Sequence, residues 1–230
     1  FISICKKSSN HKVSIFRFPG IFGKWCKPNY NSVVATFCYN KINNLKINMH
    51  DPEKILKLCY IDDVIVSFTK LLNHKWSDVI YPKIDPIYEI KVRDLVSHID
   101  DFNKSRSNLT TERVGTGFKR ALFSTYLSYL PKTKFVYDLY NHSDKRGRFV
   151  EFLKTIDSGQ FSYFTSYPGV TRGEHFHHTK SEKFLVVKGN ARFGFRNIIT
   201  NECHYVETKG EKPQIVETVP GWTHNITNIG

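Results

Sequence analysis

No apolar run in this chain approaches the roughly 18 residues that a bilayer-spanning helix requires, and no signal-peptide pattern is visible. A membrane span is therefore not expected. C-x-x-C is absent too. The five cysteines, Cys5, Cys26, Cys38, Cys59 and Cys203, are odd in number, and four fall within the first 60 residues. That pattern excludes a disulfide framework and fits a reduced, cytosolic compartment. Acidic side chains are in deficit: 21 Asp plus Glu stand against 34 Lys plus Arg, a net charge of +13. The basic residues nevertheless form no run longer than two or three and no cluster with aromatics. A nucleic-acid partner is not expected. A diphosphate-bearing substrate is compatible with the charge. Internal repeats and low-complexity tracts are missing as well.

What is present allows one large or two modest domains in 230 residues, with 40% hydrophobic and 24% charged content. The chain starts at Phe1 and stops at Gly230, shortly after His224 and without an evident closing strand. An internal piece of a longer protein is the expectation.

Residues 1–105 read as α/β. Val13–Phe18 (VSIFRF) is an expected strand, stopped by Pro19-Gly20. A helix is expected from Pro28-Asn29 to about Ile42, a strand over Leu56–Ile61, and a helix capped by Asp62 with Val64, Ile65, Phe68, Leu71 and Leu72. A brief strand at Tyr88–Ile90 and a helix over Val92–Phe102 follow. This alternation implies a mainly parallel sheet. The polar stretch 103–112 (NKSRSNLTTE) lacks periodicity and is the expected linker. Gly117–Leu130 is an expected helix, ended by Pro131, so residues 106–133 read as linker plus helix. From 134 to 230 the pattern is all-β: FVYDLY, RFVEFL, QFSYFTSY, KFLVVK, ARFGFR, CHYVET and QIVETV, with turn residues between them.

The strongest chemistry lies in GVTRGEHFHHTKSEKFLVVKG, Gly169–Gly189. His175 and His177 are one residue apart, so on a strand they share a face. Glu182 follows a turn and begins the next strand. His224 lies far downstream in PGWTHNITN. Three imidazoles and a carboxylate suit zinc, iron, manganese or nickel. The plainer alternative is a set of surface or structural histidines in a chain with ten of them. His178 adjoins the pair but alternates to the opposite face.

These residues carry a resemblance to the cupin family. Its first motif is glycine, five residues, H-x-H, three or four residues, Glu, six residues, glycine. Gly169, His175, His177, Glu182 and Gly189 match it at every spacing. Gly221, His224 and Asn228 match the end of the second motif; Pro220 departs from it by adjoining Gly221, and the usual upstream glycine is missing. The resemblance implies a double-stranded β-helix domain, C-terminally truncated, with His175, His177, Glu182 and His224 as metal ligands and Zn2+ as the expected ion.

RFPGIFGKW (Arg17–Trp25), CYIDDV (Cys59–Val64) and YEIKVRDLVSHI (Tyr88–Ile99) resemble the C-terminal part of an extended short-chain dehydrogenase/reductase. That likeness implies Pro19 and Phe22 beside the cofactor, and Arg17 and Lys24 toward a sugar-nucleotide substrate. Residues 1–105 contain no G-x-x-G-x-x-G loop to cradle a pyrophosphate and no Y-x-x-x-K pair.

A reductase part followed by a cupin is similar to the bifunctional capsular-polysaccharide enzymes acting on the way to UDP-N-acetyl-L-fucosamine. STYLSYLP, RGRFVEFLKT, GQFSYF and TRGEHFHHTKSEKFLVVKG carry this similarity. It implies a cytoplasmic homodimer acting on a UDP-sugar. The cupin would epimerise C3 of a UDP-2-acetamido-2,6-dideoxy-hexos-4-ulose, and the reductase would reduce the C4 ketone with NADPH to the L-talose product. Lys183, His178 and Tyr163 are candidate proton carriers, and Arg172 is a candidate diphosphate contact; ordinary solvated surface is the alternative for Lys183 and Arg172. Two other readings of the cupin stand beside this one. It could be a sugar-nucleotide-binding or dimerisation module, or a metal-free epimerase in which His175 is the base.

Overall fold

The computed structural model describes residues 13–73 and 81–230; Cys5 lies outside them. The chain forms two compact units: the residues up to Asp138 together with Leu153–Gly159, and Leu139–Phe152 together with Gln160–Gly230. None of the described helices is long and apolar enough to cross a membrane.

In the first unit, β1 (Gly20–Phe22), β2 (Ile55–Tyr60) and β3 (Tyr88–Lys91) form a sheet in the order β1-β2-β3. β1 runs parallel to β2, whereas β3 is antiparallel to it. The expected mainly parallel sheet is thus corrected. Strand–helix alternation fixes strand direction only when connections are short, and the long segment 72–87 lets the chain return along the sheet. The strand expected over Val13–Phe18 is also displaced, since the ladder with Leu58–Tyr60 starts at Gly20. Phe16 and Phe18 instead stack on each other and meet Phe68 edge-on. Their apolarity serves side-chain packing, not a sheet.

Helix α1 (Val33–Ile42) begins later than Pro28-Asn29 suggests. Asn29 and Asn31 sit at positive φ, and the Ser32 hydroxyl accepts from the Ala35 amide at 3.3 Å, capping the first turn. In α2 (Ile61–Leu71) the cap residue is Tyr60, and Asp62 is not a cap; Asp62 and Asp63 lie in the first turn, where their charge favours the positive helix end. Helix α3 (Val92–Asn108) extends through most of the stretch expected as linker. Its apolar stripe Val92, Leu95, Ile99 and Phe102 is buried, and the remaining polar turns continue until Leu109 stops the helix in a left-handed conformation. Leu95, Ile99 and Phe102 pack with Val34, Leu58 and, from α4 (Gly117–Leu127), Leu122 and Tyr126. Thr110–Thr111 then form β4, which pairs with Lys154–Thr155. The former linker is therefore ordered structure.

The second unit is β-rich. β5 (His142–Asp144) and β6 (Gly147–Thr155) form a hairpin, and β7 (Gln160–Phe164) pairs with β6. β8 (Thr171–His175), β10 (Asn190–Asn197), β11 (Cys203–Lys209) and β13 (Trp222–Asn228) make a sheet in the order β11-β10-β13-β8. β9 (Lys183–Leu185) pairs with β12 (Ile215–Glu217). Ala191, Phe193 and Val216 form the core, with Phe184, Phe195 and Ile226 against it. One expectation is corrected: FVYDLY forms no strand, and Phe135, Val136 and Tyr140 are exposed. The segment after Pro220, to which the strand pattern assigned nothing, is β13, lying between β10 and β8.

Candidate metal centre

β13 presents His224 across from two partners, Phe195 on β10 and His175 on β8. The register with β8 shifts between His224 and Asn225, and that bulge is built from Gly173 at φ +97° and Glu174 at φ +65°. A Cβ on Gly173 would lie 2.8 Å from the His224 carbonyl oxygen, so only glycine permits this approach. β8 ends at His175. His177 therefore lies past the strand, not on it, and is fixed by its carbonyl, which accepts from the Gly221 amide at 3.1 Å. Asn228 ties the start of the same hairpin: its side-chain amide donates to the Ser166 carbonyl at 2.6 Å. The second-motif glycine and asparagine thus hold loops in place.

The four expected ligand residues converge. One ligand atom from each of His175, His177, Glu182 and His224 lies within 4.8 Å of all the others. Glu182 Oε2 is 3.0 Å from His224 Nε2 and 3.3 Å from His177 Nε2. The His175 ring is 4.9 Å from that of His177 and 4.7 Å from that of His224. Burial grades across the cluster, from exposed His175 to His224 at 4% exposure. Burial holds the His224 imidazole below its ordinary pKa, helped by the other two histidines and opposed by Glu182. Glu182 is also held low: burial pushes its carboxyl up, but the Lys180 ammonium and the neighbouring imidazoles outweigh it. A neutral imidazole beside an ionised carboxylate is the protonation state in which both can ligate a cation. The His224 Nδ1 is buried without a hydrogen-bond partner, so the protein satisfies only one nitrogen of that ring. The donor set fits a divalent ion of the zinc, iron or nickel type.

None of the expected proton carriers is among these four converging donors. Lys183 pairs with Glu217 at 2.9 Å and alternates with Phe184, which packs inward against Phe193 and His224. His178 leans on Phe176, and exposed Tyr163 alternates with Phe164, which faces Phe184. Arg172 is half-buried; its guanidinium donates to the Thr165 carbonyl at 3.2 Å and lies 3.8 Å from Asp144. Two contributors went unread in the sequence. Lys180 donates to Glu182 Oε1 at 2.7 Å, and buried Thr218 accepts from the Glu182 amide at 2.8 Å. No spacing rule marks either.

In the first unit, Phe22, the third residue of β1, is a core residue packed on Tyr60 and Phe118. Lys24 donates to Tyr60 at 3.0 Å and to Asp62 at 2.9 Å, and these bonds raise its pKa. Arg17 is exposed and Pro19 half-buried.

Residues 142–230 match the family described as polysaccharide biosynthesis C-terminal domain. A UDP-2-acetamido-2,6-beta-L-arabino-hexul-4-ose reductase from Pseudomonas aeruginosa PA103 is 56% identical over 218 residues, which are 95% of this chain and 59% of the relative. The solved capsular polysaccharide assembling protein CapF of Staphylococcus aureus is 42% identical, with a TM-score of 0.88 over 95% of this chain and 59% of its own. A CapF structure with the inhibitor 3-isopropenyl-tropolone gives 42% identity and a TM-score of 0.89, covering 95% of this chain and 63% of that one. The chain thus spans about three-fifths of the length of these relatives.

Proposed function

Because the chain is a homologue of CapF and of the UDP-2-acetamido-hexulose reductases along 95% of its length, we propose that it is part of a bifunctional UDP-sugar enzyme of capsular polysaccharide synthesis. In this reading the first unit belongs to the reductase that uses NADPH on the C4 ketone. The second unit inverts C3 of the 4-keto-sugar. One observation carries the second assignment: three imidazoles and a carboxylate, from residues 175–182 and from the distant His224, converge within 4.8 Å in the β-rich unit.

His175, His177, Glu182 and His224 would hold one divalent ion, with zinc the expected metal. Such an ion, when bound, supplies Lewis-acid polarisation of a carbonyl oxygen, which makes the neighbouring C–H acidic enough for proton removal. The protein's own part is to fix the donors. Phe184 and Phe193 pack the apolar wall behind His224 and keep water from that side. Exposed His175 marks the open side, where a substrate could approach. The inhibitor in the CapF structure is a tropolone, a class whose adjacent oxygens chelate divalent cations, which supports the metal reading.

The test is metal analysis and C3 deuterium exchange of the keto-sugar in the intact protein and in His177→Ala. Loss of both, with C4 reduction partly retained, is expected. Unchanged metal content and exchange in the variant would sink the assignment. The exposure of His175 favours one second reading, in which this imidazole is itself the base without a metal. Undiminished exchange in metal-free protein, abolished by His175→Ala, would establish it.

A further inference from the structure

We propose that Lys180 is a positioning residue that makes Glu182 a one-oxygen ligand and keeps a coordination position open; this rests on the metal reading above. The two carboxylate oxygens of Glu182 are divided between different partners. Oε2 faces the histidines, 3.0 Å from His224 Nε2 and 3.3 Å from His177 Nε2. Oε1 takes the Lys180 ammonium at 2.7 Å. The backbone beneath is clamped on both sides by one buried residue. The Glu182 amide donates to Thr218 Oγ1, and the Thr218 amide donates to the Glu182 carbonyl, both at 2.8 Å. With the backbone fixed there and Oε2 held against the histidines, the carboxylate's terminal torsion is set by Lys180 on Oε1.

The chemical consequence follows from counting donors. Three imidazoles and one carboxylate oxygen make four protein donors, and a divalent ion of this type can expand to five. A carboxylate free to turn can offer both oxygens, and the second would fill the position a substrate carbonyl needs. An ammonium on Oε1 prevents this and also draws electron density from the carboxylate, leaving it a weaker donor and the ion a stronger Lewis acid. Stability is not what the pair supplies: the Lys180 side chain is 54% exposed, and exposed ion pairs add little.

The test loads the intact protein, K180M and K180R with Co2+ after chelation and records visible spectra, because coordination number is read directly from the cobalt bands. K180M should keep one cobalt per chain and the parent's circular dichroism, while its visible bands lose intensity as the site gains a donor. K180R should restore the parent's spectrum. Cobalt bound with an identical spectrum in K180M overturns this proposal alone. No cobalt bound by the unmodified protein overturns the metal reading and this proposal with it.

Discussion

A methyl group at Gly173 would press on the backbone of His224 at 2.8 Å while forcing a left-handed φ on alanine. Gly173→Ala is therefore expected to cost about 1–3 kcal/mol and to weaken metal binding by displacing the strand that carries a ligand. Thermal unfolding and metal titration check both effects; a variant with unchanged metal affinity would show that the bulge does not position His224. Titration gives a second residue-scale prediction. His224 and Glu182 both have depressed pKa values in the fold, so the folded protein binds fewer protons than the unfolded chain. Their contributions are present at neutral pH and are lost as pH falls. The His224 contribution begins to fall near the ordinary imidazole value of about 6.5, and the Glu182 contribution below about 4.3. Metal release and destabilisation of the second unit should accompany acidification, and melting curves measured across that range would reveal it. At this scale the sequence was informative where a ligand set has spacing rules. Lys180 and Thr218 were illegible because they act through contacts that depend on the turn after His177 and on β12 lying beside β9.

Among elements, α3 spans the first unit's core with one buried stripe, Val92, Leu95, Ile99 and Phe102. Leu95 and Ile99 are fully enclosed between β2, α1 and α4. Truncating Leu95 to alanine leaves a cavity and should cost about 2–5 kcal/mol, read as a fall in melting temperature or denaturant midpoint. Ser32→Ala, removing the α1 cap, should cost only about 1 kcal/mol. Helix faces were legible because the 3.6-residue period survives in Val92, Leu95, Ile99 and Phe102. The end of α3 was not, since residues 103–108 lack apolar periodicity and are helical as a continuation of a docked helix. β13 was missed for a related reason: WTHNITN is polar, and its strand state comes from pairing on both sides with β10 and β8.

For the whole molecule, two outcomes follow from how the chain divides. The exposed stretch 135–141 has no regular structure and contains the first-unit boundary at Asp138. Limited chymotrypsin digestion should cut at Phe135, Tyr137 or Tyr140 before it cuts within α3, and early cleavage after Phe102 would contradict the helix. Residues 1–230 carry no glycine-rich pyrophosphate loop, so this chain by itself should show no micromolar NADPH binding in a fluorescence titration; saturable micromolar binding would refute that.

The sequence alone determined the change of architecture from α/β to β, the identity of the four converging donors, and the likeness to capsular sugar-nucleotide enzymes. Each is a local pattern: periodicity, ligand spacing, or a string of motif residues. Only the tertiary structure decided which neighbours of that site face it. Lys183 pairs with Glu217 while Phe184 beside it packs inward, exposed Tyr163 stands beside Phe164, which faces Phe184, and His178 lies past β8 with its ring against Phe176. Phe22 went to the core because β1 pairs with β2 at Gly20. A side chain's direction follows from strand register, and register is set by partners distant in sequence, which no local pattern contains.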